Sequence, residues 1–202
     1  MKERSPQQIV HLDLDVKGWL ASPPTVDRAR PARCPRCGAA ACPLGGGLGL
    51  WGHGSRSRQV RGPLAAGERG GLVTIEVRRY RCRRCGATIT VVPRGVAPRR
   101  HFAATAIGLA LLLVGIASAA LIEVRRRVSP WSASFDADSW ATVRRWLRAI
   151  DQGRLFPSVR PSPLAASLRQ RAERAAMTLV AMAPFAAEVL EAAVMAGAAR
   201  AA

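Results

Sequence analysis

Two short segments, CPRCG at 34–38 and CRRCG at 82–86, decide the fold of this chain. Each places two cysteines two residues apart and ends in glycine, whose conformational freedom permits the tight turn that such a spacing requires. A structural zinc ion takes four ligands in a tetrahedron, with sulfur at about 2.3 Å. Two matching pairs therefore predict one structural zinc site with Cys34, Cys37, Cys82 and Cys85 as ligands, in a small zinc ribbon.

Other uses of cysteine fit the sequence less well. A redox Cys-x-x-Cys occurs once in a thioredoxin-like unit, and a disulfide framework belongs to short, cysteine-dense secreted chains. The N-terminal residues also lack the apolar run of a signal peptide. Cys42 is interpreted as a small core residue or loop thiol, and His53 as a loop or DNA-facing residue. The sequence leaves both open as alternate ligands.

The charge of the chain is strongly positive and unevenly distributed. The net charge is +18, and residues 28–100 contain sixteen arginines but only Glu68 and Glu76 as acids. Positive charge of this density is typical of nucleic-acid binding. A general enrichment in arginine explains part of the excess, since the chain has only two lysines. It does not explain why the arginines concentrate around the cysteines.

The pattern of elements predicts an α+β protein. β-branched residues at 72–81 and 88–92 indicate antiparallel strands that enter and leave the second cysteine pair. The glycine-rich loop at 44–50 lacks the Gly-Lys-Ser/Thr ending of a phosphate-binding loop and is interpreted as a flexible insertion. The predicted organisation is a leader and linker at 1–30, the zinc ribbon at 31–95, a helix-turn-helix-like region at 96–156, a proline-rich linker at 157–163 and an alanine-rich helical tail at 164–202.

Three runs carry a family resemblance: His-Gly-x-Arg-x-Arg from 53, the segment 77–93 around the second cysteine pair, and Pro-Arg-Arg-His-Phe at 98–102. They resemble short transposase-like proteins with a zinc ribbon and a helix-turn-helix, related to the N-terminal DNA-binding module of insertion-sequence transposases. The resemblance implies binding to DNA in the cytoplasm, in association with the nucleoid. The family's catalytic core of three carboxylates has no counterpart here, so no enzymatic activity is predicted. A split or degenerate transposase, with its catalytic chain encoded separately, is an alternative.

The uncharged run Ala103–Ile122 has two interpretations. Its twenty residues, most of them apolar, reach the length that a membrane-spanning helix needs. The run is also rich in alanine and glycine, and basic residues flank both ends, so it gives no orientation signal. We expect a buried helix. The alternative is a membrane-anchored, basic zinc-ribbon protein with a span at 103–122.

A second helix is predicted after Ser134, Asp136 or Asp138, any of which can cap its first turn. Apolar residues at helical spacing from Trp140 to Ile150 form an inward stripe, and Gly153 ends the helix. The outward residues suit a recognition helix, because arginine can bond guanine edges and threonine can touch a thymine methyl. An ordinary amphipathic helix with solvated arginines has the same pattern. The base-reading candidates are Thr142, Arg144, Arg145 and Arg148.

The other predicted DNA contacts are arginines of the ribbon and of the segment after it, which would bind phosphates without reading sequence. The alanine-rich tail, broken near Pro184, is interpreted as a packing or self-association element. No nucleophile–base arrangement appears, and the three histidines offer few catalytic options. The phosphate-binding candidates are Arg56, Arg58, Arg61, Arg78, Arg79, Arg83, Arg84, Arg99 and Arg100.

Overall fold

The computed structural model describes residues 8–98, 100–129, 140–184 and 187–202. It confirms the α+β class: a four-stranded sheet precedes a run of helices. The elements in chain order are β1 Gln8–Leu12, α1 Val16–Ala21, β2 Leu50–Gly62, β3 Gly71–Cys82, β4 Thr88–Pro93, α2 Ala104–Gly115, α3 Leu121–Val128, α4 Ala141–Asp151, α5 Leu168–Ala181 and α6 Leu190–Ala201.

The sheet has the strand order β1-β4-β3-β2. β3 and β4 are antiparallel, and the pair Arg81 and Thr88 closes their hairpin around the second cysteine pair. β1 instead runs parallel to β4, from the pair Gln8 and Ile89 to the pair Leu12 and Pro93. The predicted antiparallel pairing of the strands that enter and leave the second cysteine pair is confirmed, and β1 adds a parallel edge strand to it. A long connection through the first cysteine pair, β2 and β3 separates β1 from β4, as parallel neighbours require.

The described chain forms two compact units. The first comprises Met1–Gln59 with Thr74–Arg94, and the second comprises Val60–Val73 with Gly95–Ala202. Segment 60–73, placed in the ribbon by the sequence pattern, therefore belongs with the helices. Its backbone explains this placement, because the Arg61 amide donates to the His101 carbonyl at 2.8 Å and the Ala103 amide donates to the Arg61 carbonyl at 2.8 Å.

In the first unit, buried aromatic residues attach the N-terminal segment to the sheet. Trp19 is buried, and its indole N–H donates to the Glu76 carbonyl at 3.0 Å. The buried Tyr80 donates its hydroxyl to the Val26 carbonyl at 2.5 Å. Residues 8–30 are thus part of the sheet unit, as an edge strand, a short helix and a bound linker.

In the second unit, α2 packs against α5 and α6. Almost every residue of α2 is buried. Glycines allow these helices to approach closely. A Cβ on Gly115 of α2 would lie 2.2 Å from the Glu173 backbone nitrogen of α5, and a Cβ on Gly197 of α6 would lie 1.7 Å from the Leu179 carbonyl oxygen of α5. This packing confirms the expectation of a buried helix.

The apolar run 103–122 does not form one helix. α2 ends at Gly115, Ser118 has a φ of 56°, and the chain re-enters a helix at Leu121. The Glu123 carboxylate accepts from the Ala120 amide at 3.1 Å and so stabilises the new start. Among the described residues, no helix combines the length and apolarity needed to cross a membrane.

The inward stripe of α4 is confirmed. Val143, Trp146, Leu147 and Ile150 are all buried, and the chain turns at Gly153, whose amide donates to the Ile150 carbonyl at 2.8 Å. The predicted capping residues Ser134, Asp136 and Asp138 lie outside the described residues. α3 ends at Val128 and α4 begins at Ala141.

Candidate metal centre

The first cysteine pair lies in a tight backbone turn. The Cys34 amide donates to the Ala39 carbonyl at 2.8 Å, and the Gly38 amide donates back to the Cys34 carbonyl at 2.9 Å. Gly38 has a φ of 71°, which glycine adopts without the strain that a side chain would bring. A bridge between Arg33 and Ala40 closes the turn.

The second pair repeats this geometry. The Cys82 amide donates to the Ala87 carbonyl at 3.0 Å, the Gly86 amide donates to the Cys82 carbonyl at 2.9 Å, and Gly86 has a φ of 67°. The pair Arg81 and Thr88 closes this turn as Arg33 and Ala40 close the first. The two segments are therefore structural equivalents, and we call them the first and second knuckles.

The knuckles bring four sulfur atoms together. The Sγ atoms of Cys34 and Cys85 are 3.7 Å apart, as are those of Cys37 and Cys82, and all four lie within 4.8 Å of one another. Four sulfurs at about 2.3 Å from one tetrahedral metal would be about 3.8 Å apart. The predicted ligand set is thus arranged as a metal ion needs it. The site can hold one ion with all four positions filled by protein.

The thiols influence one another's ionisation. Burial acts to raise the pKa of Cys82, but hydrogen bonds from the backbone amides of Cys85 and Arg84 and from neighbouring thiols outweigh it and lower the pKa to about 7. The Ala87 amide favours the Cys85 thiolate, but burial and the other three thiols raise the pKa of Cys85 to about 11. Without a cation the Cys85 thiol therefore resists ionisation. Metal binding must release protons, and affinity must fall with falling pH.

Cys42 and His53 are not part of the cluster. Within the described residues, the ligand group contains only the four knuckle cysteines. Cys42 is exposed, which supports the loop interpretation over the core one. His53 is exposed on β2, with its ring 6.2 Å from that of Trp51.

The glycine-rich loop is attached to both knuckle segments at its end. The Gly49 amide donates to the Ala41 carbonyl at 2.8 Å, and the Gly49 carbonyl accepts from the Arg83 amide at 2.9 Å. A Cβ on Gly49 would lie 2.2 Å from the Ala40 carbonyl oxygen, so only glycine fits. The loop thereby brings the start of β2 next to the second knuckle.

The predicted phosphate-binding arginines differ in their accessibility. Arg56, Arg83 and Arg84 are exposed. Arg58 is half-buried, and burial together with the charge of Arg56 lowers the pKa of Arg58. The side chains of Arg56 and Arg58 are therefore near each other, as strand alternation predicts. Arg61, Arg79 and Arg100 are half-buried, and Arg99 lies outside the described residues.

Arg78 is half-buried and also has a contact within the protein. Its Nε donates to the Pro24 carbonyl at 3.1 Å and holds the linker on the sheet. The contact with Pro24 could not be predicted, because no feature of the sequence indicates that residues 21–31 lie against β3. On α4, Arg144, Arg145 and Arg148 are exposed, as the helical spacing predicts, whereas Thr142 is half-buried.

Three further exposed arginines surround the knuckles and were not among the predicted contacts: Arg33, Arg36 and Arg81. The sequence contains a pattern that could have identified two of them, since Arg33 and Arg81 each precede the first cysteine of a knuckle. Arg36 and Arg84 likewise each precede the second cysteine. With Arg83, these residues form a set of five exposed arginines, which we call the knuckle arginines.

Comparison with known proteins gives one match. Residues 34–146 match the family described as Domain of unknown function (DUF6431), from the first knuckle cysteine into α4. No curated protein and no solved structure matches the chain.

Proposed function

The chain belongs to the family described as Domain of unknown function (DUF6431), and we propose that it is a zinc-dependent DNA-binding protein. The observation that carries the proposal is the set of knuckle arginines around the four-cysteine centre. All five side chains are exposed, and none forms an ion pair with a carboxylate in the part of the chain that the structure describes. Their charge is thus available to a polyanion.

Zinc is the metal that we propose for the centre. A closed tetrahedral site of four thiolates suits zinc or iron among the common metals. Zinc has no redox chemistry, and closed zinc sites with four protein ligands stabilise small folds. In this chain the ion would fasten two knuckles that are far apart in sequence, and so fix the arginines at equivalent positions on both.

The resemblance to insertion-sequence transposases supports DNA as the polyanion. In this proposal the first unit supplies phosphate contacts, and α4 supplies base contacts through Arg144, Arg145 and Arg148. The protein then acts as a DNA-targeting module in association with the nucleoid, and any strand cleavage belongs to a separate catalytic chain. The assignment of α4 as a base-reading helix rests on its exposed arginines and on the resemblance.

The proposal is tested by titrating the zinc-loaded, full-length chain into mixed-sequence duplex DNA at several salt concentrations. Each phosphate neutralised by an arginine releases counterions, so the logarithm of the association constant should fall linearly with the logarithm of salt concentration, at about −0.9 per neutralised phosphate. Five knuckle arginines predict a slope of about −4 to −5. Absence of measurable duplex binding at low salt would refute the proposal.

Base reading by α4 gives a separate prediction. Arg144→Ala and Arg148→Ala should each relax preference at particular base pairs by about 1–3 kcal/mol, as measured by selection from a randomised duplex pool. Arg174→Ala, at an exposed position of α5, is the matched control and should leave the preference unchanged. Equal weakening on all sequences by the α4 variants would show that α4 binds phosphates only.

A further inference from the structure

A pocket lies beside the metal centre, within the first unit. Its volume is about 420 Å³, inside the range of roughly 300–1,000 Å³ typical of small-molecule sites. The end of the glycine-rich loop, the start of β2 and the second knuckle form its walls. Its lining residues are Leu48, Trp51, Arg81, Cys82, Arg83 and Gly86, and we call it the tryptophan pocket.

The tryptophan of this pocket is exposed, which is unusual for this chain. Trp51 has 46% of its surface exposed, whereas every other Trp, Tyr or Phe among the described residues is buried or half-buried. Strand alternation accounts for its direction, because Leu50 beside it is fully buried. His53, two residues further along β2, is also exposed, and its ring lies 6.2 Å from that of Trp51.

The charge of the pocket is positive only. Arg81 and Arg83 are exposed at its wall, and no carboxylate lines it. A Cβ on Gly47 would lie 3.4 Å from a terminal nitrogen of Arg83, so this guanidinium lies over the loop at the edge of the pocket. An exposed aromatic face beside two cations suits a ligand that combines a planar ring with a phosphate.

We propose that the tryptophan pocket binds an unpaired nucleotide of single-stranded DNA, with the base stacked on Trp51 and its phosphate held by Arg81 and Arg83. A base pair inside a duplex cannot use this surface, because its neighbours in the stack cover both of its faces. Stacking on an aromatic side chain is the common device by which proteins bind single strands without reading sequence. This inference rests on the proposed DNA binding and specifies the form of DNA preferred.

The test compares a blunt duplex with the same duplex carrying a short unpaired gap in one strand, using the zinc-loaded, full-length chain. Stacking on one tryptophan predicts that the gapped DNA binds about fivefold to 150-fold more tightly. Trp51→Ala should abolish this preference and leave affinity for the blunt duplex unchanged. Trp51→Phe should retain most of it.

Leu72→Ala, at an exposed apolar position of β3 outside the pocket, is the matched control and should keep the preference. Zinc content and thermal unfolding of Trp51→Ala should equal those of the unchanged chain, since the side chain is exposed.

The outcomes separate this inference from the proposed function. Duplex binding without a preference for the gap, or equal weakening of both DNAs by Trp51→Ala, would overturn the pocket assignment and leave duplex binding standing. Tighter binding to a gap made of ribonucleotides would also overturn it, because RNA would then be the ligand. Absence of binding to either DNA would refute both.

Discussion

Cys82→Ser should release the metal and unfold the sheet around the knuckles. The centre joins two knuckles whose cysteines are separated by β2 and β3, and a serine hydroxyl replaces one of four thiolate ligands. Structural zinc binding supplies about 10–16 kcal/mol in zinc-finger peptides, which is as large as the total stability of most small domains. We therefore expect less than one zinc per chain by elemental analysis.

Amide hydrogen exchange should show which part of the fold is lost in this variant. Amides of β4 should lose their protection in Cys82→Ser, because β4 follows the second knuckle directly. Cys42→Ser is the matched control: its thiol is exposed and lies outside the cluster, so zinc content and exchange rates should not change. A Cys82→Ser protein with one zinc per chain and slow exchange in β4 would contradict the four-thiolate centre.

The second large effect concerns the knuckle arginines. Changing Arg81, Arg83 and Arg84 together to alanine should weaken binding to all duplex sequences alike, since bonds to phosphates carry no sequence information. The salt slope should shrink by about one for each arginine removed, about three in total. Because all three side chains are exposed, the variant should keep its zinc and its fold.

A charge-matched control separates direct phosphate binding from net charge. Arg154, Arg160 and Arg174 are exposed arginines of the second unit, and their combined change to alanine removes the same three charges. The salt slope of this control should stay close to that of the unchanged chain. An equal reduction of the slope in both variants would mean that general charge, and not a surface around the knuckles, drives binding.

The four-cysteine cluster was predictable from sequence because its determinants are local. A Cys-x-x-Cys-Gly segment sets its own turn through the amide of Cys34 or Cys82 and the positive φ of Gly38 or Gly86. The buried stripe of α4 was predictable for the same reason, because helical spacing alone places Trp146 and Ile150 inward.

The features that sequence analysis missed depend on distant partners. No pattern within residues 8–12 indicates that they pair in parallel with β4. The contact between Arg78 and Pro24 depends on the path of a linker, and the attachment of Arg61 to residues 101 and 103 depends on a later segment. The break in the apolar run was better signalled, since Glu123 lies three residues after Ala120, where a carboxylate can stabilise a new helix start.

The most direct test of the central claim measures duplex DNA affinity of one preparation of the full-length chain before and after its metal is removed by a chelator. If zinc fixes the knuckle arginines in place, affinity at low salt should fall by at least about tenfold on metal removal, and the salt slope should shrink with it. Re-addition of zinc should restore both. Unchanged affinity and slope in protein shown by elemental analysis to be metal-free would contradict the account.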